Sequence, residues 1–227
     1  RLASLVGSGV SGVVCDVADG LEASMMMRSC GTLRGVVHAA GVVRDMLARS
    51  LSPCDVGHVF APKAMGAAWL HACLMAYALH ASVLLSSTGA VLGVVGQSNY
   101  AAANAYLDSL SLVRAARGTC SACVQLPTVL GAGIGQAIVD DANAAVAQHH
   151  RQWSVSLEQF AQALSAVVVD SMVLTALLSG DRPAVVHLLM TPYAIARPNQ
   201  STSAQRPALL PADIELLVVD TMRQLSS

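Results

Sequence analysis

In "GQSNYAAANAYLDSL", Tyr100 and Asn104 stand four residues apart, so on a helix both side chains project from one face. Upstream, "LLSST" ends an apolar run at Ser86-Ser87, and "VFAPKAMGA" carries Lys63 on a helical stretch before it. A phenol, an ammonium, a hydroxyl and a carboxamide are groups that hold, donate or orient protons. In a parallel sheet ligands sit at the C-terminal ends of the strands, where Ser86-Ser87 falls. Lys63, Ser87, Tyr100 and Asn104 are therefore the candidate site. Taken singly, each has an ordinary structural reading: a helix-capping tyrosine, a snorkelling lysine, a strand-end serine, a helix-surface asparagine.

Such a set needs strands and helices in alternation, and the chain supplies that pattern. Strands are expected over 13–17, 33–41, 81–88, 122–127 and 184–190, with helices over 20–30, from Ser52-Pro53 to about Tyr77, over 100–117, 134–150 and 156–178. Ser52-Pro53 is a helix opening, an N-cap followed by Pro at the first helical position, and Gly118 is a helix stop. Alternation of this kind predicts an α/β fold with a parallel sheet. From Pro198 the composition shifts to Asn, Gln, Ser, Thr and Pro, a linker, after which "ADIELLVVDTMRQL" reads as a new amphipathic helix.

Other motifs carry less. Gly7-Ser8-Gly9-Val10-Ser11-Gly12 has the spacing of a dinucleotide-binding turn, which needs a strand before it and a helix after it. Here six residues precede Gly7 and a β-branched run follows the pattern, so the order is wrong. Cys120 and Cys123 form a C-x-x-C within an expected strand, where residues three apart face opposite sides, which argues against redox or zinc chemistry. The seven histidines show no ligand spacing, so no metal site is expected. A net charge of −1 gives no electrostatic case for nucleic acid, and the most apolar segment, "SAVVVDSMVLTALLSG", is too short and is interrupted by Asp170, so no membrane span is expected. Scattered cysteines in apolar segments suit a reducing, cytoplasmic compartment. With 54% apolar and 4% aromatic residues, the chain suits a sheet covered on both faces by closely packed helices.

The stretches "CDVAD" (15–19), "GVVHAAGV" (35–42), "APKAMGA" (61–67), "LLSSTGAVLG" (84–93) and "GQSNYAAANAYLD" (96–108) resemble the ketoreductase domains of modular polyketide synthases, a branch of the short-chain dehydrogenase/reductases. Lys63 and Ser87 precede Tyr100 by 37 and 13 residues and Asn104 follows it by 4, offsets that match the family's catalytic set. The lysine on the earlier helix, with Asn four residues after the Tyr, is the arrangement of polyketide and animal fatty-acid synthase reductases. The resemblance implies a Rossmann-like, doubly wound parallel sheet over roughly 1–195, a linker over 196–211 and, over 212–227, the start of a following helical unit similar to an acyl carrier protein's first helix. It implies NADP(H) as cofactor, with Asp16 and Val17 bordering the adenine and Ala39, Ala40, Gly41, Lys63 and Tyr100 on the nicotinamide ribose side. The family's glycine-rich turn lies two strands upstream, so the first βαβ unit is expected to be missing, the chain to be a fragment inactive alone, and a central sheet edge to be left unpaired. It further implies a β-ketoacyl thioester delivered on the phosphopantetheine of a carrier domain in the same polypeptide, with no nucleic acid or membrane partner.

In that chemistry Tyr100 donates a proton to the developing alkoxide, Lys63 lowers the phenol's pKa, Ser87 holds the carbonyl oxygen, and Asn104 orients Lys63 or a relay water. The family's stereochemical signature, Leu-Asp-Asp after "HAAG", is here Val43-Arg44-Asp45, and the alternative Trp eight residues before the Tyr is Leu92. Asp45 and Leu92 are thus the stereocontrol candidates, leaning to a D-configured 3-hydroxyacyl product. Two further departures are "QLPTVLGAGIG", in place of a Trp-Gly loop, and the segment 156–178. The competing readings are a structural, inactive ketoreductase remnant, which the intact Ser-Tyr-Asn set argues against, and a fatty-acid synthase reductase.

Overall fold

A computed structural model of the chain describes residues 12–131, 133–141, 144–177, 185–189 and 216–219. Helix α1 (Gly20–Ser29) is capped by Asp19, whose carboxylate accepts from the Leu21 and Glu22 N–H groups. Strand β1 (Gly35–His38) follows. The Ser52-Pro53 signal opens α2 (Pro53–Phe60) with a capping box between Ser52 and Asp55. The chain then runs through a π turn at Ala61–Met65 into α3 (Gly66–Leu74). Next come β2 (Ala81–Ser87), the short α4 (Gly89–Leu92) and α5 (Ser98–Ala116), which ends at Gly118 with φ +82°. After these lie β3 (Ser121–Leu126), β4 (Thr128–Leu130), α6 (Gly133–Asp141), α7 (Ala144–Gln152), β5 (Ser154–Ser156), α8 (Leu157–Leu177), β6 (Val185–Leu189) and β7 (Leu216–Val219).

The strands form a parallel sheet in the order β6-β3-β2-β1-β7, beside a small parallel pair of β4 and β5. The two faces of the sheet are divided by the strand period of two. Val37, Val83, Leu85, Ala122 and Val124 face α8, packing on Val167, Phe160 and Leu164. On the other face Leu84 and Cys123 meet Ala67 of α3 and Leu107 and Leu110 of α5, while Val36 meets α1 and α3 through Met26, Met27, Leu70 and Leu74. Helices on both faces of a parallel sheet give the α/β fold expected from the alternation and the doubly wound sheet that the resemblance implied.

Three expectations are corrected. Residues 13–17 form no strand: a strand needs a hydrogen-bonded neighbour, and Val13 and Val14 stand 64% and 103% exposed while Val17 turns into the core. The single helix expected over 134–150 is two, α6 and α7. The helix expected after Pro211 is, at Leu216–Val219, strand β7, paired with β1 in the register Gly35↔Leu216 to His38↔Val219. Four consecutive apolar residues with two valines satisfy the peptide groups along the outer edge of β1, so the edge expected to be unpaired has a partner. Residues 7–11 of the glycine pattern and the linker residues 196–211 lie outside the described residues.

Candidate active site

The site is built where α2, the π turn and α5 cross the C-terminal end of β2. Tyr100, Asn104 and Asp108 follow at four-residue steps along one face of α5. The π turn carries Lys63 from the preceding helix, and its extra residue changes the direction in which that side chain leaves the backbone.

Lys63 is buried, 4% exposed. Its Nζ donates to Leu85 O at 3.0 Å and lies 5.3 Å from the centroid of the Tyr100 ring. Burial pulls its pKa down to about 8, against the smaller opposing pull of Cys123 and Asp108. Gly41 makes room for the stem, since a Cβ there would meet Lys63 Cε at 2.8 Å. The whole chain contains twelve arginines and a single lysine, Lys63. That count is a signal the motif spacing did not use. Arg serves every other cationic position, and only here is a compact ammonium with an adjustable pKa retained.

Asn104 is fully buried; its Nδ2 donates to Tyr100 O at 2.9 Å, and its Oδ1 has no hydrogen-bond partner among the described residues. Ser86 Oγ donates to Asn104 O at 3.2 Å, tying α5 to β2. Asp108 ties the same helix to β3, accepting from Cys123 Sγ at 3.0 Å and Gln125 Nε2 at 2.8 Å. Cys120 instead donates to His80 O, so the two thiols of the C-x-x-C serve different contacts. Ser87 ends β2, and its Oγ accepts from Gly89 N–H at 3.1 Å, which leaves its O–H to donate.

Tyr100 differs from expectation. Its pKa is raised by burial, partly offset by a hydrogen bond with the Asn104 side chain and raised further by the Asp45 carboxylate. The ammonium of Lys63 sits over the ring face and is engaged with Leu85 O, so it does not pull the phenol down as the sequence suggested. The resting tyrosine is a neutral phenol with its proton in place.

The loop before α2 is fastened to the start of α5 by three bonds. Gln97 Nε2 donates to Asp45 Oδ2 at 2.9 Å, Asn99 Nδ2 to Arg44 O at 3.1 Å, and Met46 N–H to Gly96 O at 2.7 Å. Sequence spacing does not single out Gln97 and Asn99, because their partners lie over 50 residues away. Leu92, at the end of α4, is 74% exposed.

The residues assigned to a cofactor separate into two groups. Gly41, Lys63 and Tyr100 lie together, with Ala39 half-buried just after β1. Asp16 lies with α1, its N–H donating to Glu22 Oε2 and its Oδ1 accepting from Ala18 N–H. Val17 and Ala40 are fully buried in the core with α1 and α3, and a Cβ on Gly66 would meet Val17 Cγ1 at 2.8 Å. Neither exposes any surface in this structure. Asn104 Oδ1, an acceptor with no partner among the described residues, and the Lys63 ammonium beside the bare Gly41 are groups of the kind that hold a hydroxyl-rich ligand.

Comparisons with known proteins identify the family. The family model for the KR domain matches residues 1–131. The chain is 39% identical over 119 residues to a 6-methylsalicylic acid synthase of Aspergillus niger, covering 52% of the chain and 7% of that protein. It is 43% identical over 117 residues to the spectinabilin polyketide synthase system protein NorB of Streptomyces orinoci, covering 50% of the chain and 5% of that protein. The chain thus spans a small part of the length of the relatives it matches. Among solved structures it is similar to A-type ketoreductases from a modular polyketide synthase, with TM-score 0.66 at 28% identity, covering 80% of this chain and 41% of that one. It is also similar to the first ketoreductase of the tylosin polyketide synthase, with TM-score 0.62 at 27% identity, covering 84% of this chain and 39% of that one.

Proposed function

The chain belongs to the KR domain family, and from that premise we propose that it serves a multidomain synthase by reducing a β-ketoacyl thioester to the 3-hydroxyacyl thioester. The observation that carries this reading is the single lysine of the chain, buried beneath the ring of Tyr100 at the C-terminal end of β2. NADPH is the proposed reductant, held on its nicotinamide ribose side by Lys63, Tyr100 and Gly41 and on its adenosine side by Asp16. When bound it supplies a hydride for the ketone carbon.

The chain's own residues manage the oxygen. As negative charge develops there, the Ser87 O–H donates a hydrogen bond and the Tyr100 phenol donates the proton. Tyr100 then needs a replacement proton, and Lys63, with its pKa near 8, lies close enough to neutrality to give one up. Asn104 fixes both partners: its amide holds the Tyr100 backbone, and its Oδ1 is left to accept from Lys63, the cofactor or a relay water. Asp45, anchored by Gln97, is the proposed element that orients the acyl chain and so sets product chirality, with the exposed Leu92 as the second candidate. Substrate delivery on the phosphopantetheine of a carrier domain fits the large synthases that the chain resembles, and a cytoplasmic setting fits its scattered free thiols. Among the described residues no helix is long and apolar enough to cross a membrane.

The test joins this segment to its native flanking sequence and follows NADPH oxidation with a β-ketoacyl thioester. Turnover that disappears in Tyr100→Phe, with Kd for NADPH retained, is the expected result. A folded wild-type protein that binds NADPH and reduces nothing would contradict the reading and leave a structural remnant.

A further inference from the structure

Behind the site, on the α3 and α5 face of the sheet, lies a second set of buried polar groups that the proposed reaction does not use. His38 ends β1 fully buried, and its Nε2 lies 3.1 Å from the carbonyl oxygen of Lys63, inside the π turn. A carbonyl only accepts, so Nε2 carries the hydrogen and the neutral ring has a bare lone pair on Nδ1. Burial keeps the ring neutral, with a pKa lowered to about 4. Nδ1 is therefore an acceptor, and it has no partner among the described residues.

Arg114, near the end of α5, is 3% exposed. Its guanidinium contacts His71 Nδ1 at 2.8 Å and Cys120 O at 3.3 Å, while its Nε–H, a donor, has no partner among the described residues. Both side chains line one small cavity between β1, β2, α3 and α5, with Ser82 and His71 adding polar groups to an otherwise apolar wall. Its volume of about 10 Å³ is close to what one water molecule needs. An unmet donor and an unmet acceptor carried by two residues that line one such cavity specify the ligand. An anion would meet the Nδ1 lone pair and be repelled, and a cation would meet the guanidinium. A water accepts from Arg114 and donates to His38.

We propose that a buried water joins Arg114 to His38 and that His38, through its hydrogen bond to the Lys63 carbonyl, is the positioning residue that sets the π turn and aims Lys63 under Tyr100. The strut acts on the backbone carbonyl of Lys63 and not on its ammonium head, which is held by Leu85 O. Its consequence for catalysis rests on the role given to Lys63 above; the hydrogen bonds do not.

The chain's single lysine makes the test direct, because in the 227-residue chain labelled with 13C- and 15N-lysine the Cε and Nζ signals belong to Lys63 alone. The groups facing it are Cys123 on β3, Asp108 and Tyr100 on α5 and His38 on β1. In His38→Leu the turn relaxes and the ammonium reaches solvent, so its titration midpoint rises by more than one unit from about 8 toward the ordinary 10.5. In His38→Gln, whose amide both donates and accepts, the midpoint stays. A folded His38→Leu with an unchanged midpoint would overturn the positioning role. Should that variant not fold, His38→Asn, too short to reach the carbonyl, carries the same expectation. The water is tested by Arg114→Met, which removes its donor: the His38 15Nδ1 resonance shifts if the bridge exists, and an unmoved resonance would overturn it. Neither readout needs NADPH or substrate, so a chain that reduces nothing still tests the strut.

Discussion

The two faces of the central sheet are built by different rules. Against α8 the described contact is an apolar cluster in which Val37, Val83, Leu85, Ala122 and Val124 meet Val167, Phe160 and Leu164. Against α3 and α5 the sheet buries Ser82, Ser86, His38, Lys63, Asn104 and Arg114 among its hydrophobic residues. A buried polar group left unpaired costs about 1–3 kcal/mol, so the polar face gains less stability per residue than the apolar one. What it gains is direction. Dispersion and hydrophobic burial do not care about a rotation of a few degrees, whereas the bonds Lys63 Nζ–Leu85 O, Ser86 Oγ–Asn104 O and Cys123 Sγ–Asp108 each fix an angle. The α8 face holds the sheet together, and the α5 face holds a constellation in place.

If that division is right, substitutions on the two faces should separate rate from stability. The largest effect belongs to Lys63→Met, which keeps a buried stem and deletes the ammonium. Reduction should fall by about 10²–10⁴-fold, with the melting temperature unchanged or raised because a buried charge is gone. Steady-state kinetics beside calorimetry check this, and loss of fold with loss of rate would erase the distinction.

The next effect has the opposite signature. In acid the unfolded His38 takes up a proton below pH 6.5, while the folded ring refuses it until about pH 4. The folded pKa is depressed, so the unfolded state binds more protons in this window and stability falls as pH drops from 6.5 to 4, by up to about 3 kcal/mol. Urea titrations of wild type and His38→Gln across that range should diverge by this amount; parallel curves would mean the ring is protonated in the native state. On the apolar face Val124→Ala should cost about 2 kcal/mol through lost burial and a residual cavity. Turnover per folded molecule should not change, and a matching fall in rate would show that the α8 face also aims the site.

Gly41→Ala is a smaller and sharper probe. Its Cβ would stand 2.8 Å from Lys63 Cε, so the lysine stem must give way. We expect less than about 1.5 kcal/mol of stability to be lost, together with a rise in the Lys63 titration midpoint as the ammonium is pushed outward. An unchanged midpoint would show that the stem accommodates the methyl without moving its head.

The same contrast explains how much could be read in advance. The apolar pattern, the Ser52-Pro53 opening and the Gly118 stop act within a few residues, and each stands where its local chemistry places it. The Tyr100–Asn104 pair was legible because one helix turn sets its spacing. What was not legible depends on partners distant in the chain. Val13 and Val14 have strand composition but pair with no strand among the described residues, and Leu216–Val219 has the pattern of an amphipathic helix yet pairs with β1. The π turn, the His38 bond to Lys63 and the Gln97 bond to Asp45 carry no local signature at all. The lysine count did carry one: twelve arginines against one lysine marks Lys63 without any structure.

The most direct test of the central claim, that Tyr100 supplies the proton while hydride arrives at the ketone, uses NADPH deuterated at its transferring position and a β-ketoacyl thioester, with the product read by mass spectrometry. Deuterium at the carbinol carbon in the wild-type protein, and none above background in Tyr100→Phe at equal NADPH occupancy, is the outcome predicted here. Equal deuterium incorporation by the two proteins would show that the phenol above Lys63 is not the acid.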